Sequence, residues 1–247
     1  MFKSLTNVAL MHQEWHDLLF LHWRIPDSLI RKHIPDELSI DHYGGSAWIG
    51  IIPFQMRKLR PTLLPAFPPI SNFIEVNLRT YVYDREQRKG VWFFSLDTRN
   101  SLGNWIARTF FHLNYRFAYT DLHRDFGDDA PHVSYGLRFL KNSFSKKREE
   151  SFIWTHDEHC FKPSQNKNSL EYFLTERYRL FSYNYRKKQL ITGRLSHLPY
   201  ELNRPKLMEY STGLFDSNGI EFNAQAPESV LACHQTHVKV YPFEVVQ

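Results

Sequence analysis

Between Phe73 and Tyr83 hydrophobic and polar positions alternate without a break. Ile74, Val76, Leu78, Thr80 and Val82 fall on one face of an extended strand, and Phe73, Glu75, Asn77, Arg79 and Tyr81 on the other. The second half of Met11–Arg24 alternates in the same way, and the apolar runs Ser46–Met56 and Lys89–Asp97 also predict strands. Three further strands are expected over Tyr115–Arg124, His132–Lys141 and Ser151–His159, and the chain closes with strands in Arg204–Phe215 and Leu231–Val246. Residues 166–197 read as a short helical turn leading into a hairpin whose tip is Tyr185–Lys188. Helical spacing is confined to short pieces. One lies between Pro26 and Pro35, and another over Ser101–Leu113, where Leu102, Trp105, Ile106 and Thr109 share a stripe. Gly44–Gly45 marks a turn, and Leu59–Ile70 carries too many prolines for a helix or a central strand. No repeat, low-complexity tract or linker interrupts this series. The expectation is one mainly β domain over residues 1–247, an antiparallel, barrel-like sheet with a few short helices.

Composition sharpens the picture in a few places. With 20 Phe and 13 Tyr against 10 Gly in 247 residues, flat side chains dominate, which suits a pleated surface and leaves little glycine for a phosphate-binding loop. A nucleotide or flavin cofactor held by such a loop is therefore not expected, and no cofactor is assigned. The net charge of +5 is spread along the chain. The densest basic runs, Lys146–Arg148 and Arg186–Lys188, sit in turn-like contexts without a recognition module, so nucleic acid is not the expected partner. Two cysteines argue against a disulfide scaffold and for a reducing compartment. With no secretory leader and no apolar run of membrane-spanning length, the expectation is a cytoplasmic protein.

The histidines invite a metal reading, which the spacing does not support. His12 and His16 are four apart with Glu14 between them, unlike the H-E-x-x-H of zinc peptidases, and on a strand they stand about 13 Å apart. The segments His156–Cys160 and Cys233–His237 together offer thiols and imidazoles, but neither has C-x-x-C spacing; no metal site is assigned. No G-x-S-x-G motif occurs, and neither cysteine has an activating context. What remains is the polar face of Phe73–Tyr83. In a closed barrel one face of each strand looks inward. If that is the polar face, Glu75 becomes an acid–base candidate with a raised pKa, and Asn77 and Arg79 become candidates for holding a substrate. Glu176, Arg177 and Asp97 read more simply, the first two as strand residues in structural ion pairs and Asp97 as a turn or cap before the helix. His197 is a further pocket candidate without a distinguishing pattern.

The ordered set "LLFLHWRIPDSLIRKHIPDELSID", "GSAWIGIIPFQM", "FIEVNLRTYV", "VWFFSLD", "ARTFFHLNY" and "FLTERYRLF" resembles the YqjF-like family of uncharacterised bacterial proteins, over nearly the whole chain. That family groups within the acetoacetate-decarboxylase-like superfamily. The resemblance implies a mostly antiparallel, cone-shaped β-barrel around a small-molecule pocket. By the register of Arg24–Asp41, Glu75 matches a catalytic-site glutamate of the decarboxylase. His16 falls where the decarboxylase has an active-site arginine, and Gly50 replaces a second glutamate. The position of the reactive lysine is Tyr115, with Arg116 beside it, and no lysine lies between Lys89 and Lys141. Decarboxylation through a Schiff base needs a neutral amine to form the iminium, and a tyrosine cannot supply it. The resemblance thus implies a retained pocket with different chemistry. Glu75, Tyr115 and His16 are its catalytic candidates, and Arg79, Asn77 and Arg116 its substrate-binding ones. Two readings stay open: an enzyme acting on a small carbonyl or carboxylate compound by proton transfer or a lyase step, and a non-catalytic protein that binds a small hydrophobic or aromatic ligand. A barrel with aromatic loops outside is also compatible with a homo-oligomer.

Overall fold

The structure, a computed structural model, describes residues 8–125, 132–139, 148–155 and 157–246. Fourteen strands are formed among them. In chain order they are β1 (Met11–Ile25), β2 (Ser39–Ile40), β3 (Ala47–Pro61), β4 (Phe73–Tyr83), β5 (Lys89–Thr98), β6 (Tyr115–Phe117) and β7 (Tyr119–Asp125). Then follow β8 (His132–Phe139), β9 (Arg148–Thr155), β10 (Arg179–Asn184), β11 (Gln189–Ser196), β12 (Leu202–Asn203), β13 (Lys206–Glu209) and β14 (Ser229–Val245). The short helices are α1 (Asp27–Ile30), α2 (Pro68–Ser71), α3 (Ser101–Phe110), α4 (Leu170–Thr175) and α5 (Leu214–Ser217). No helix among the described residues is long and apolar enough to cross a membrane.

Seven strands close a barrel in the order β4-β3-β1-β14-β11-β10-β5, with β5 returning to β4. Six of the junctions are antiparallel, and β10 meets β5 in parallel. The expectation of an antiparallel barrel therefore needs correction: the barrel is mixed. Directions that alternate around a ring require an even number of strands, so a ring of seven must contain a parallel pair. β6 adds a second parallel junction at the free side of β5.

Alternation along the strands sorts the apolar residues onto the two faces of the wall. Val76, Leu78 and Val82 of β4 face outward, into a cluster that also holds Val133, Tyr135, Phe152 and Trp154 of β8 and β9, and Leu214 and Phe215 of α5. The four-stranded sheet β13-β9-β8-β7 and α5 thus cover the barrel from outside. The inner faces form two clusters, one around Leu18, Phe20, Ile52 and Phe54, the other around Trp48, Tyr81, Phe173 and Leu174. Burying both faces of the wall is why these strands are nearly continuous apolar runs, and why polar side chains on an inward face stand out.

α3 is anchored at one mouth of the barrel. Its N-cap is Asn100, whose side-chain oxygen accepts from Gly103 N at 2.9 Å while its amide donates to Ile70 O of α2. Asp97, expected at a turn or cap, is not the capping residue. The predicted apolar stripe of this helix is also divided: Ile106 lines the barrel cavity, whereas Leu102 and Trp105 are 50% and 60% exposed.

Candidate active site

Inside the barrel lies a cavity of about 170 Å³. Its walls are mostly apolar, built from Leu18 and Phe20 of β1, Ile52 and Phe54 of β3, Phe93 and Leu96 of β5, and Leu180 of β10. Into them project Glu75, Asn77 and Arg79, so the polar face of β4 is the inward one. Three polar residues in a row on a barrel interior are costly to bury, and the sequence supplies them at the two-residue spacing that keeps them on one face.

Glu75 is 2% exposed and accepts a hydrogen bond from the Tyr115 hydroxyl at 2.8 Å. Burial pushes its carboxyl up to about 7; the Tyr115 hydroxyl and the Asn77 amide oppose that shift, and the nearby Asp97 carboxylate adds to it. Tyr115 is held well above the usual phenol range by burial and by the adjacent carboxylate, so it keeps its proton and serves as a donor. It reaches the site because β6 runs beside β5, pairing Tyr115 with Leu96. Asn77 is 6% exposed, and its Oδ1 has no hydrogen-bond partner among the described residues.

Arg79 lies two steps further along the strand than Asn77, with its Cα about 13 Å from that of Glu75 at the usual rise. It is 7% exposed, yet no carboxylate of the described residues lies within ion-pair distance of it. Its Nη2 donates to Leu174 O at 2.9 Å, its guanidinium stands over the rings of Phe20 and Tyr81, and its Nε has no partner among the described residues. Arg177 also lines the cavity, but it is paired: its Nη1 meets Asp41 at 2.7 Å, and its Nε donates to Phe173 O. The ion pair expected for Arg177 is therefore present, although Arg177 and Glu176 follow α4 and lie outside any strand. Glu176 accepts from Tyr200 N at 3.0 Å and from the Tyr178 hydroxyl.

Two candidates do not reach the cavity. His16 lies on the outer face of β1, its Nε2 3.2 Å from Glu14. The reason is a one-residue bulge. Met11, Gln13 and Trp15 face the cavity, Asp17 takes a left-handed backbone at φ 47°, and from Leu18 onward the even positions face inward. Arg116 follows Tyr115 on β6 and so points the other way. It makes a two-pronged pair with Asp97, at 2.6 and 2.8 Å, and a further bond to Ser95 Oγ. Arg116 and Asp97 form a structural pair on the outside of the wall. His197 is not among the residues lining the cavity; it stacks on Tyr178 and meets Tyr200 at a tilt.

The bulge that turns His16 out turns His22 in. His22 is fully buried, with Nε2 2.6 Å from the Tyr81 hydroxyl. Tyr81 donates its one hydroxyl proton to Leu174 O at 2.7 Å, so the proton between the two rings belongs to His22 Nε2. Nδ1 is then a bare lone pair, without a partner among the described residues. Burial, reinforced by the Arg79 charge, holds this imidazole well below its usual range and hence neutral. Directly across the β1–β3 ladder stands Gly50. A Cβ there would come within 2.6 Å of the His22 ring, so the histidine occupies the space that a side chain at 50 would need.

Among the described residues no group of three or more His, Cys, Asp or Glu converges as for a metal ion, and the two cysteines are unpaired. His156, Lys146 and Lys147 of the sequence motifs lie outside the described residues. Arg186–Lys188 form the exposed turn between β10 and β11.

The fold is shared with proteins of known structure. Acetoacetate decarboxylase from Legionella pneumophila superposes with a TM-score of 0.67 at 10% identity, covering 100% of this chain and 91% of that one. An acetoacetate decarboxylase-like enzyme from Sphingomonas wittichii gives 0.66 at 10% identity, with 97% and 94% covered. The enduracididine biosynthesis enzyme MppR, complexed with pyruvate, gives 0.63 at 12% identity, with 99% and 93% covered. In sequence, the uncharacterized protein YqjF of Bacillus subtilis is 35% identical over 226 residues, 90% of this chain and 86% of its own. The model of the DUF2071 family, described as an uncharacterized conserved protein, matches residues 12–237. On this evidence the chain belongs to the DUF2071 family, the family of YqjF.

Proposed function

We propose that the chain is an enzyme that binds a small anionic carbonyl compound inside the barrel and moves a proton on it without a Schiff base. The observation that carries this reading is the Glu75–Tyr115 pair. A buried carboxyl at about 7, facing an apolar cavity, is divided between base and acid near neutral pH. As base, Glu75 takes a proton from the carbon beside a carbonyl, and the electron pair moves onto the carbonyl oxygen. The resulting acid returns the proton to give the isomerised or exchanged product. Asn77 is a hydrogen-bond donor beside that oxygen, and Tyr115, whose one hydroxyl proton is held by the Glu75 carboxylate, turns to it once Glu75 has taken the substrate proton. Arg79, buried and without a carboxylate, is the anchor for the anionic end. The apolar wall between the two ends selects a compound with a short aliphatic or aromatic middle. The MppR fold neighbour is complexed with pyruvate, a small anionic carbonyl compound that lacks such a middle. Among the described residues no lysine lines the cavity, which argues against an iminium mechanism.

The test is proton–deuterium exchange at carbon in D2O, followed by NMR, on a panel of small 2- and 3-keto acids. Wild type should accelerate exchange on at least one of them, and Glu75→Gln should lose about 100-fold or more. Equal rates for the two proteins across the panel would refute the proposal. The mostly apolar wall favours a second reading, retention of a small hydrophobic or aromatic ligand without chemistry. Native mass spectrometry of protein purified from its own host would then find an unaltered compound.

A further inference from the structure

A second concavity, an outer cleft of about 1100 Å³, lies against the barrel wall where β10 meets β5. This junction is the thinnest in the ring. Only Leu180–Val91 and Phe181–Trp92 pair across it, whereas β4 and β5 pair over most of their length. Beyond Trp92 the two strands part. β5 regains a neighbour on that side at Leu96, where β6 begins, so among the described residues Phe93, Phe94 and Ser95 have no strand beside them there. The gap is filled by the turn after α3. Asn114 accepts from Leu96 N at 3.0 Å and its side chain donates to Phe94 O, while His112, at a left-handed φ of 51°, sits 3.2 Å from the Asn184 amide.

The cleft and the barrel cavity share two walls, Phe93 and Leu113. The inward face of β10 also runs from one to the other: Leu180 lines the cavity, and Ser182, next on the same face, lines the cleft. Ser182 is 2% exposed, and its hydroxyl has no partner among the described residues, so a polar group stands at the passage with nothing to bond. The charged residues lining the cleft sum to one positive charge. Lys32, Arg108 and Arg186 line it against Asp36 and Glu37, of which Asp36 lies 3.7 Å from Arg31 and Glu37 accepts from Tyr183.

From this we infer that the outer cleft is the receiving site for the ligand, a vestibule for small organic anions that pass through the β5–β10 seam, with Phe93 and Leu113 as the gate. The inference rests on the barrel interior being the ligand site proposed above. Cations around a concave entrance raise the local concentration of an anion, and apolar gate residues let its carbon skeleton pass. Passage requires only that the two gate side chains and the short turn behind them move, because no strand ladder spans the gap.

The test reads access rather than catalysis, so it can fail independently of the proton-transfer proposal. In a Cys160→Ser background, Ile52→Cys places a thiol on the cavity wall; the native Cys233 is buried, and burial pushes its thiol up to about 12. Labelling is timed by mass spectrometry with iodoacetate, an anion, and iodoacetamide, its neutral analogue. Adding Leu113→Trp should slow both reagents at least tenfold, and Phe93→Ala should speed both. Arg108→Glu with Arg186→Glu should slow iodoacetate at least fivefold, leave iodoacetamide within twofold, and reverse the salt dependence of the iodoacetate rate, because two charge reversals make the cleft lining net negative. The inference is overturned if Leu113→Trp folds and changes neither rate while Leu59→Trp, elsewhere on the cavity wall, slows both. Should Leu113→Trp not fold, Phe93→Ala decides, and no acceleration overturns it. A cavity thiol that stays unlabelled in both the parent and Phe93→Ala overturns it as well.

Discussion

Glu75 and Arg79 are two burials of opposite sign, and each has a measurable consequence. A carboxyl near 4.3 in the unfolded chain and at about 7 in the folded one binds more protons when folded. Its contribution therefore favours the fold least once pH has risen through 7, and the loss accumulates between roughly 4.5 and 7. The size is roughly 3–4 kcal/mol at 1.36 kcal/mol per pKa unit. Glu75→Gln keeps a hydrogen-bonding group beside Tyr115 and cannot ionise, so it should be the more stable protein at pH 8 and lose most of that advantage at pH 5. Melting temperatures at the two pH values check this; an equal difference at both would mean that Glu75 is not the group that titrates. The arginines should separate in the same way. Arg177→Met leaves Asp41 buried without its nearest partner and should cost about 3–5 kcal/mol, while Arg79→Met removes a charge with no carboxylate beside it and should cost about 1 kcal/mol or less. Urea unfolding of both variants reads the contrast; similar losses would show that Arg79 is as firmly paired as Arg177. The spacing of Glu75, Asn77 and Arg79 was legible in the sequence because period-two alternation survives folding unchanged. Which face turned inward was not, because that depends on how the ring closes.

At the level of elements, one inserted residue accounts for the misplacement of His16 and for the inward turn of His22. A strand read by alternation alone carries its phase unbroken from Met11 to Arg24, which places His16 and His22 on the same face. The left-handed Asp17 shifts that phase by one, and afterwards Leu18, Phe20 and His22 share the inward side. Nothing in the local composition marks the position. Aspartate does tolerate this backbone, but so many turns use it that the residue type alone carries no weight. Arg116 was misplaced for a related reason. Adjacent residues of β6 face opposite sides, so one residue separates a side chain inside the barrel from one that pairs with Asp97 outside. The exchange across β1 and β3 gives the sharpest test at this scale. Gly50→Ala drives a methyl group to within 2.6 Å of His22 and should cost about 1–3 kcal/mol as overpacking. In a His22→Ala background the same substitution should cost less by at least about 0.5 kcal/mol, the signature of residues in contact. Additive losses in the double-mutant cycle would show that Gly50 is needed for some reason other than the imidazole.

For the whole molecule, the number seven matters more than any single pairing. An odd ring cannot alternate direction throughout, so one junction must be parallel, and here it is also the shortest, with two paired positions between β10 and β5. The mainly β class and a barrel-like sheet followed from the strand patterns, and the family resemblance added the expectation of a pocket inside. The place of the parallel junction did not follow, because strand count and closure are properties of the assembled sheet. A short junction leaves few backbone hydrogen bonds to break, and the turn after α3 that fills the gap contributes side-chain contacts in place of a ladder. Local opening should therefore begin there. Native-state hydrogen exchange should find the amides of Phe93–Ser95 and Ser182–Asn184 that face the gap exchanging at least tenfold faster than the central amides of β1 and β3, which is about 1.4 kcal/mol less of opening free energy. β1 pairs with β3 and β14 along nearly its whole length and should exchange only with global unfolding. The comparison within the ring is decisive. If β1 exchanges as fast as the seam, the barrel opens as one unit and the thin junction has no separate mobility. If the seam alone is fast and Leu113→Trp slows it, the opening is confined to the one place where the wall is made of side chains.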